Sequence, residues 1–202
     1  EWRRPPDTAE IRLRSVTRVA NRQIVGDHCC VQSAWALDQF YTPGFRIRVG
    51  SKRSPWVARE PFIVHLYPPG TKFWEDCTPR NRRLHSAWIT FDVPSGMGIE
   101  ALVRNRVGIA RFHDPDRRID RLLQTIATKA RTLGDDGYWD AMPSFLEILN
   151  LLRRALPVGE GVYQVMPSPE SALKHSLVAR AHEYCRTHLG DNIDVPTLAR
   201  HV

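Results

Sequence analysis

Aromatic side chains are the residues of this sequence best suited to bind a small molecule. The 202 residues include six tryptophans and eight histidines. Four of the tryptophans lie in or beside segments with the pattern of β-strands: Trp35, Trp56, Trp74 and Trp88. Flat aromatic faces suit sugar rings or other planar apolar ligands in a largely apolar pocket with few polar anchors. We therefore predict that these rings line a ligand pocket, although a position in the core or at its rim also accounts for any single one.

Polar candidates for the same pocket come from two short segments. His65 and Tyr67 are two residues apart in FIVHLY, so in a strand both point to one side, together with Ile63. Both can hydrogen-bond a ligand, and a histidine satisfied within the core is an equally good interpretation of His65. Arg46, from the alternating segment FRIRV, is a further ligand-binding candidate.

The sequence contains no recognisable catalytic or metal-binding motif. A metal-binding barrel enzyme commonly uses two histidines close in sequence, a glutamate shortly after them and a later histidine. Here His65, Glu75 and His85 do not have that spacing, and no Gly-x-Ser-x-Gly, phosphate-binding loop or dinucleotide fingerprint occurs. The four cysteines form no C-x-x-C pair: Cys29, Cys30, Cys77 and Cys185. We predict no catalytic residues, no metal and no cofactor, and a reducing cytosol as the compartment.

Composition and charge set wide limits on function. The chain is 42% hydrophobic and 25% charged, as is usual for a globular protein. The net charge of +7 agrees with a nucleic-acid partner, but the arginines are dispersed and the support is weak. No apolar run approaches the ~20 residues of a membrane span, and the first residues do not resemble a secretory signal. We therefore predict a cytoplasmic protein without a membrane partner.

The first half of the chain has the pattern of a β-sandwich or barrel. Residues 1–26 are polar and arginine-rich, which is typical of an arm or an edge strand. From residue 27 to 113, short alternating segments such as FRIRV and HSAWITFDV are separated by Pro and Gly turns. This spacing predicts a strand domain over residues 27–113.

The pattern then changes to helical spacing. Asp114, Pro115 and Asp116 supply a capping residue, a proline for the first turn and an acidic side chain. Residues 114–156 form two helices by this pattern, and the second is rich enough in leucine to bury two faces, one on the barrel and one on a partner chain. Residues 157–170 have the composition of a linker.

The tail, residues 171–202, has the pattern of the opening of a helix-turn-helix. Val178, Ala181 and Leu189 follow helical spacing up to Gly190, and Asp194 can cap a second helix. A partner helix that would enter the DNA groove does not follow. Since the first residue is glutamate and the tail stops within this motif, we expect the sequence to be part of a longer protein.

Taken with the preceding segments, this tail resembles bacterial transcription regulators of the AraC/XylS family, most nearly their arabinose-responsive members. The resemblance is carried by YPPGTKFWED, by HSAWITF, by the leucine-rich FLEILNLLRRAL and by the two tail helices. It implies an α+β fold: a cupin-like β-barrel or jelly roll, an antiparallel helical pair, and the first helices of a truncated helix-turn-helix domain.

The family resemblance also implies roles for particular residues. It places Trp88 in the ligand pocket. Phe73, Trp74 and Glu75 stand where the sugar-sensing members carry ligand-contacting histidines and a tyrosine, and Ser86 stands where they carry a histidine, so a different ligand is implied. The leucine-rich helix is the one through which such members dimerise, which implies four dimerisation residues: Leu146, Leu149, Leu152 and Arg153.

These observations together predict a ligand-responsive transcription regulator. A small effector, of which a sugar is one example, binds the barrel, and the helical pair forms a homodimer. Operator DNA and RNA polymerase are partners only through the complete protein. Two alternatives remain open, a metal-dependent cupin enzyme and a dimerisation or adaptor module without a ligand.

Overall fold

The computed structural model describes residues 11–22, 27–76, 84–95, 97–188 and 194–201. The chain divides into two units, Glu1–Met166 and Pro167–Val202. No helix among the described residues has both the length and the apolar character needed to cross a membrane.

The strands of the first unit form two sheets. In chain order, the described strands are β1 (Arg12–Arg22), β2 (Asp27–Val31), β3 (Trp35–Phe40), β4 (Phe45–Val49), β5 (Val57–Arg59), β6 (Ile63–Tyr67), β7 (Lys72–Asp76), β8 (Leu84–Asp92), β9 (Ala110–His113), β10 (Leu156–Gly159) and β11 (Val162–Gln164). The large sheet has the order β1-β8-β3-β6-β9-β11-β10 and the small sheet the order β2-β7-β4-β5. All pairs are antiparallel except β9 with β11.

The two sheets face each other. Ala36 and Tyr67 of the large sheet form one buried cluster with Ile47 and Phe73 of the small sheet. Tyr67 and Phe73 stack with ring centroids 5.2 Å apart. Side chains on the facing surfaces therefore meet between the sheets, as in other β-sandwiches.

Helices cover the opposite face of the large sheet. The first unit contains α1 (Ile99–Leu102), α2 (Arg118–Leu133) and α3 (Gly137–Arg154). Trp35 and Leu37, which alternate with Ala36, belong to a larger core shared with Phe145 of α3 and Leu123 of α2. Alternate side chains of a strand in the large sheet therefore pack against the helices on one face and against the small sheet on the other.

Local backbone chemistry fixes both helices of this pair. The carboxylate of Asp114 accepts the backbone N–H groups of Arg118 and Ile119 at 2.9 and 2.8 Å, although the helix begins at Arg118, after a left-handed Arg117 with φ of 55°. At the junction with α3, a Cβ on Gly137 would lie 2.4 Å from the carbonyl oxygen of Lys129. Only glycine permits so close an approach of the two helices.

Residues 1–26, predicted to form an arm or an edge strand, include β1, which is an edge strand of the large sheet and buries Leu13 at 1% exposure; residues 1–10 and 23–26 lie outside the described part of the chain. The segment predicted as a linker, however, is partly strand. Residues assigned to a linker include β10 and β11, which extend the same sheet. Tyr163 stacks on Phe112 at 5.2 Å and Val165 is buried, so apolar packing recruits a segment whose Pro and Gly content favours a loop.

The second unit consists, in its described residues, of α4 (Pro169–Thr187) and α5 (Val195–His201). Asp194 accepts the backbone N–H of Thr197 at 2.7 Å, as predicted for a helix cap. Large apolar side chains remain exposed, including Leu173 at 61% and Val178 at 61%. The link that would define a helix-turn-helix, residues 189–193, lies outside the described residues.

Candidate functional site

A cluster of polar side chains lies between the two sheets. We call it the inter-sheet cluster and define it by five residues: Asp38, Arg59, His65, Tyr67 and Glu75. Asp38 and His65 are cross-strand partners on β3 and β6, and Tyr67 lies two residues beyond His65 on the same face. Arg59 and Glu75 come from β5 and β7 of the small sheet. Strand alternation brings charged groups from both sheets into contact between the sheets.

Arg59 is the centre of this cluster. Its guanidinium donates to Asp38 Oδ2 at 2.8 Å and to the Tyr67 hydroxyl at 3.0 Å. A second guanidinium nitrogen lies 2.8 Å from Glu75 Oε1. The ring of Phe40 lies beneath the guanidinium, 3.9 Å from its carbon. The Arg59 side chain has no solvent exposure, so two carboxylates and a ring replace the water around its charge.

These contacts shift the pKa values of the partners. Burial alone would raise the pKa of Asp38, but Arg59 and His65 hold it below its usual value. Burial would lower the pKa of Arg59, and Asp38, Tyr67 and Glu75 together raise it instead. Burial raises the pKa of the Tyr67 hydroxyl. At neutral pH the cluster therefore holds an ionised Asp38 and Arg59 beside a neutral phenol.

His65 is a buried side chain, 1% exposed, that faces the carboxylate of Asp38. Its Nδ1 lies 3.6 Å from Asp38 Oδ1, and this contact helps to lower the pKa of Asp38. Its Nε2 is buried and has no partner among the described residues. Burial lowers the pKa of His65, and Arg59 and Arg111 lower it further, although Asp38 acts in the opposite direction. The imidazole is therefore neutral at pH 7 and offers one donor and one acceptor.

The cluster keeps access to solvent at its edge. The side chains of Asp38 and Glu75 are 12% and 18% exposed. Trp88 of β8 is the cross-strand partner of Asp38, lies on the same face of the sheet, and is half-buried. A ligand held here would meet an indole, carboxylate acceptors and a neutral imidazole. No group of three or more side chains of the metal-ligating types is placed to hold a metal ion among the described residues.

The structure brings together only half of the residues predicted for the ligand pocket. His65, Tyr67, Glu75 and Trp88 lie on the facing surfaces of the sheets, at or beside the cluster. Trp35 has the opposite parity from Asp38, faces the helices, and stacks on Phe91 with centroids 6.4 Å apart. Trp35 therefore lies on the other side of the large sheet from the inter-sheet cluster, because successive side chains of a strand point to opposite faces.

The remaining three predicted pocket residues lie on the outer surface of the small sheet. Arg48 and Trp74 are cross-strand partners there, and Arg46 and Trp56 flank them. Arg46 donates its Nε–H to Asp76 at 2.9 Å. The small sheet separates these three residues from the region between the sheets. Trp56, Trp74 and Arg46 therefore cannot contact a ligand bound there.

Sequence reasoning missed Asp38 and Arg59. Asp38 is an acidic residue within WALDQF, where every residue is buried, and an acidic side chain in so apolar a segment signals a buried partner. Arg59, in the three-residue strand VAR, is flanked by ordinary loop residues and gives no comparable signal.

The residues predicted for dimerisation separate into two groups. Leu149 and Leu152 are 2% and 0% exposed and belong to the core beneath the large sheet. They cannot contact a second chain, and their assignment is wrong because α3 is packed on the sheet by this face. Leu146 is 44% exposed and Arg153 is exposed, so these two remain available.

Comparison with known proteins gives few similarities. No protein-family model matches the sequence, and no curated protein matches it. Among solved structures, apo ToxT from Vibrio cholerae, carrying a lysine-to-alanine substitution, matches with a TM-score of 0.45 and 8% identity over 97% of this chain and 71% of that chain. A 1.65 Å structure of ToxT from Vibrio cholerae matches with a TM-score of 0.38 and 6% identity over 95% and 70% of the two chains. Both scores lie below 0.5 and assign no function.

Proposed function

We propose that this chain is the sensing part of a ligand-responsive transcription regulator of the AraC/XylS type, and that a small polar effector binds at the inter-sheet cluster. The observation that carries the proposal is His65, a buried imidazole beside an ion network, whose Nδ1 faces Asp38 and whose Nε2 has no partner among the described residues. A buried polar group without a hydrogen bond costs roughly 1–3 kcal/mol. A ligand that hydrogen-bonds the imidazole recovers that free energy, which favours binding at this site.

The charges of the cluster favour a neutral or cationic effector. Asp38 and Glu75 supply two formal negative charges against the single positive charge of Arg59, and burial keeps His65 neutral. An anionic ligand would meet this surplus in a poorly hydrated space, where like charges repel strongly. A sugar satisfies the requirement, because its hydroxyls donate to carboxylates and its apolar ring face can lie on Trp88.

The rest of the chain provides the elements that such a regulator needs. The segments that resemble the family occur in the order of a strand domain, a helical pair and a helical tail. Leu146 and Trp139, 44% and 61% exposed on α3, offer an apolar surface for a homodimer. The exposed apolar side chains of α4 offer a surface on which further helices of a DNA-binding domain can pack. Operator DNA and RNA polymerase are then partners of the complete protein.

Regulation would follow from unequal affinities. An effector that binds one arrangement of the sensor more tightly than another shifts the population toward it, by no more than the difference in binding free energy. A dimer holding two DNA readers converts that shift into a choice of half-site spacing.

A thermal-shift screen of neutral sugars, small amines and organic acids tests the effector site. Sugars or amines that stabilise the protein should lose their effect in Trp88→Ala and in His65→Gln. Val107→Ala truncates a loop residue that is 45% exposed and lies outside both the cluster and the proposed dimer surface; it is the control, in which the shift should persist. A shift that survives both cluster substitutions would refute the assignment of the site. Absence of any shift across the screen would favour an adaptor module instead.

The homodimer is tested separately by sedimentation. Leu146→Glu should convert a dimer to a monomer, because it places a charge on the apolar surface that Leu146 and Trp139 provide. Val107→Glu changes a loop residue of similar exposure, 45%, and should leave the dimer intact. A dimer that tolerates Leu146→Glu would place the interface elsewhere.

A further inference from the structure

A second concave site lies on the outer surface of the small sheet. We call it the outer groove and define it by its lining: Cys29, Arg48, Lys52, Trp56, Lys72 and Trp74. Arg48, Trp74 and Cys29 are neighbours in one row across β4, β7 and β2. The groove encloses about 490 Å³, which is within the range of small-molecule sites. It faces away from the inter-sheet cluster, since Trp74 and Glu75 are consecutive residues of one strand.

The groove carries positive charge without a balancing acid in its lining. Three of the six lining residues are cationic, and none is a carboxylate. Asp76, two residues from Trp74 on β7, lies outside the lining; it accepts the Nε–H of Arg46 at 2.9 Å and is buried. No carboxylate in the lining neutralises Arg48, Lys52 and Lys72, so their positive charges can attract an anionic ligand.

Arg48 is held in a fixed orientation at this site. Its guanidinium carbon lies 3.8 Å from the centroid of the Trp56 ring, and one of its terminal nitrogens donates to the Lys52 carbonyl. The Nε of Arg48 is buried and has no acceptor among the described residues. A second cation, Lys72, lies 5.4 Å from the Trp74 ring centroid. The groove thus combines a guanidinium held in place by its neighbours with a second cation and two indole rings.

We propose that the outer groove binds a planar aromatic anion, that is, an aromatic ring bearing a carboxylate or a phosphate. The anionic group would accept from the guanidinium of Arg48 and from the two lysines, which gives charge-assisted hydrogen bonds. The ring would stack on the guanidinium plane that Trp56 supports, since arginine stacks on aromatic faces. A simple anion would use the charges but leave the indoles without a role.

This site is independent of the effector site proposed above. The two use different residues on opposite faces of the small sheet; the cluster favours a neutral or cationic ligand and the outer groove an anionic one. Substitutions in the cluster, such as His65→Gln, should leave binding in the outer groove unchanged. Failure of one proposal therefore does not entail failure of the other.

Isothermal titration with four probes tests the proposal. Naphthalene-2-carboxylate and adenosine monophosphate carry a ring and an anionic group, inorganic phosphate carries only charge, and naphthalene-2-methanol carries only a ring. The ring-bearing anions should bind at least about tenfold more tightly than either partial probe, since ion contacts and stacking add. The tighter of the two anions identifies a free aromatic acid or a nucleotide as the class.

Paired variants and a chemical readout locate the bound probe. Arg48→Gln combined with Lys72→Gln should weaken the ring-bearing anions by about tenfold or more, while Arg53→Gln, an exposed arginine outside the lining, should not. The exposed thiol of Cys29 should be alkylated by iodoacetamide more slowly when the groove is filled, as located by mass spectrometry. Melting temperatures equal to wild type show that the variants are folded. Equal affinity for inorganic phosphate, unchanged binding in the double variant, or an unprotected Cys29 would each overturn the proposal.

Discussion

Replacement of Arg59 by methionine would strip the inter-sheet cluster of its only arginine while keeping most of the side-chain volume. The substitution removes donors from Asp38 at 2.8 Å and from Glu75 at 2.8 Å. Two carboxylates are then left between the sheets without their cation. Breaking a buried ion pair in this way destabilises roughly 3–5 kcal/mol, because the remaining charge is desolvated and unpaired. The side chains of Asp38 and Glu75 keep 12% and 18% exposure, so water recovers part of that loss and we expect about 3 kcal/mol.

The penalty should shrink as the pH falls. In the wild type the pKa of Asp38 lies below its usual value, so its stabilising effect is complete above the unfolded pKa of about 3.9 and is lost only as pH falls through the lower folded value. Without Arg59, burial raises the pKa of Asp38, and the folded variant takes up a proton that the unfolded chain does not. The pKa of His65 shifts in the same direction, since Arg59 lowers it in the wild type. The variant therefore gains stability relative to wild type between pH 7 and pH 5.

Urea unfolding followed by tryptophan fluorescence measures this difference. All six tryptophans lie within the first unit, so the signal reports its unfolding alone. Arg53→Met, at an exposed position, is the matched control and should change stability by no more than ~0.5 kcal/mol. Asp38→Asn should destabilise the wild type but stabilise the Arg59→Met variant, because there it removes a stranded charge. A loss below ~1 kcal/mol at pH 7, or a penalty that does not change with pH, would refute a buried ion network.

Three further predictions concern single side chains. His65→Phe should retain or raise stability at pH 7 and should flatten the dependence of melting temperature on pH between 7 and 5. The wild type loses stability there because the pKa of His65 is lowered by burial and only the unfolded chain takes up the proton below about pH 6.5; an unchanged slope would contradict this. In the same urea assay, Leu149→Ala should lower the free energy of unfolding by about 2–5 kcal/mol and Leu146→Ala by less than about 1 kcal/mol, because only Leu149 is buried. Equal losses would contradict this difference in burial. Asp114→Ala should cost about 1–2 kcal/mol, because the carboxylate caps the first turn of α2; no loss would show that other groups cap the helix.

The alternation of apolar and polar residues predicted which side chains share a face of a strand, and the structure agrees with that prediction. His65 and Tyr67 do lie on one side of β6, and Asp194 does cap a helix at Val195. The information is local, since a period of two residues or a capping side chain depends only on near neighbours. Strand existence over residues 27–113 was predictable for the same reason.

Which faces meet was not predictable from the same pattern. Trp35 and Trp74 both have the pattern of buried strand residues. Trp35 packs against the helices, whereas Trp74 lies on the outer surface of the small sheet, away from both the helices and the inter-sheet cluster. The answer depends on how β3 and β7 are placed in two different sheets, and that pairing is non-local. Arg59 and Asp38 are likewise 21 residues apart and belong to different sheets, so their contact could not be inferred from spacing. The hairpin of β10 and β11 was missed because its Pro and Gly content describes a loop until Phe112 is known to lie beneath Tyr163.

The energetics of the inter-sheet cluster separate a sensor from a module with a filled core. Replacing a whole buried ion network by apolar side chains of similar volume is often neutral or stabilising by 1–4 kcal/mol. Stability alone therefore does not explain why Arg59 and its two carboxylates are buried, or why Nε2 of His65 is buried without a partner among the described residues. A core required only to support dimerisation would be at least as stable with Leu or Phe at these positions. Retention of polar groups at a cost is expected where they bind something, since functional sites commonly reduce stability. If His65→Phe is at least as stable as wild type but has lost the ligand-induced thermal shift, then His65 contributes to ligand binding at the expense of stability.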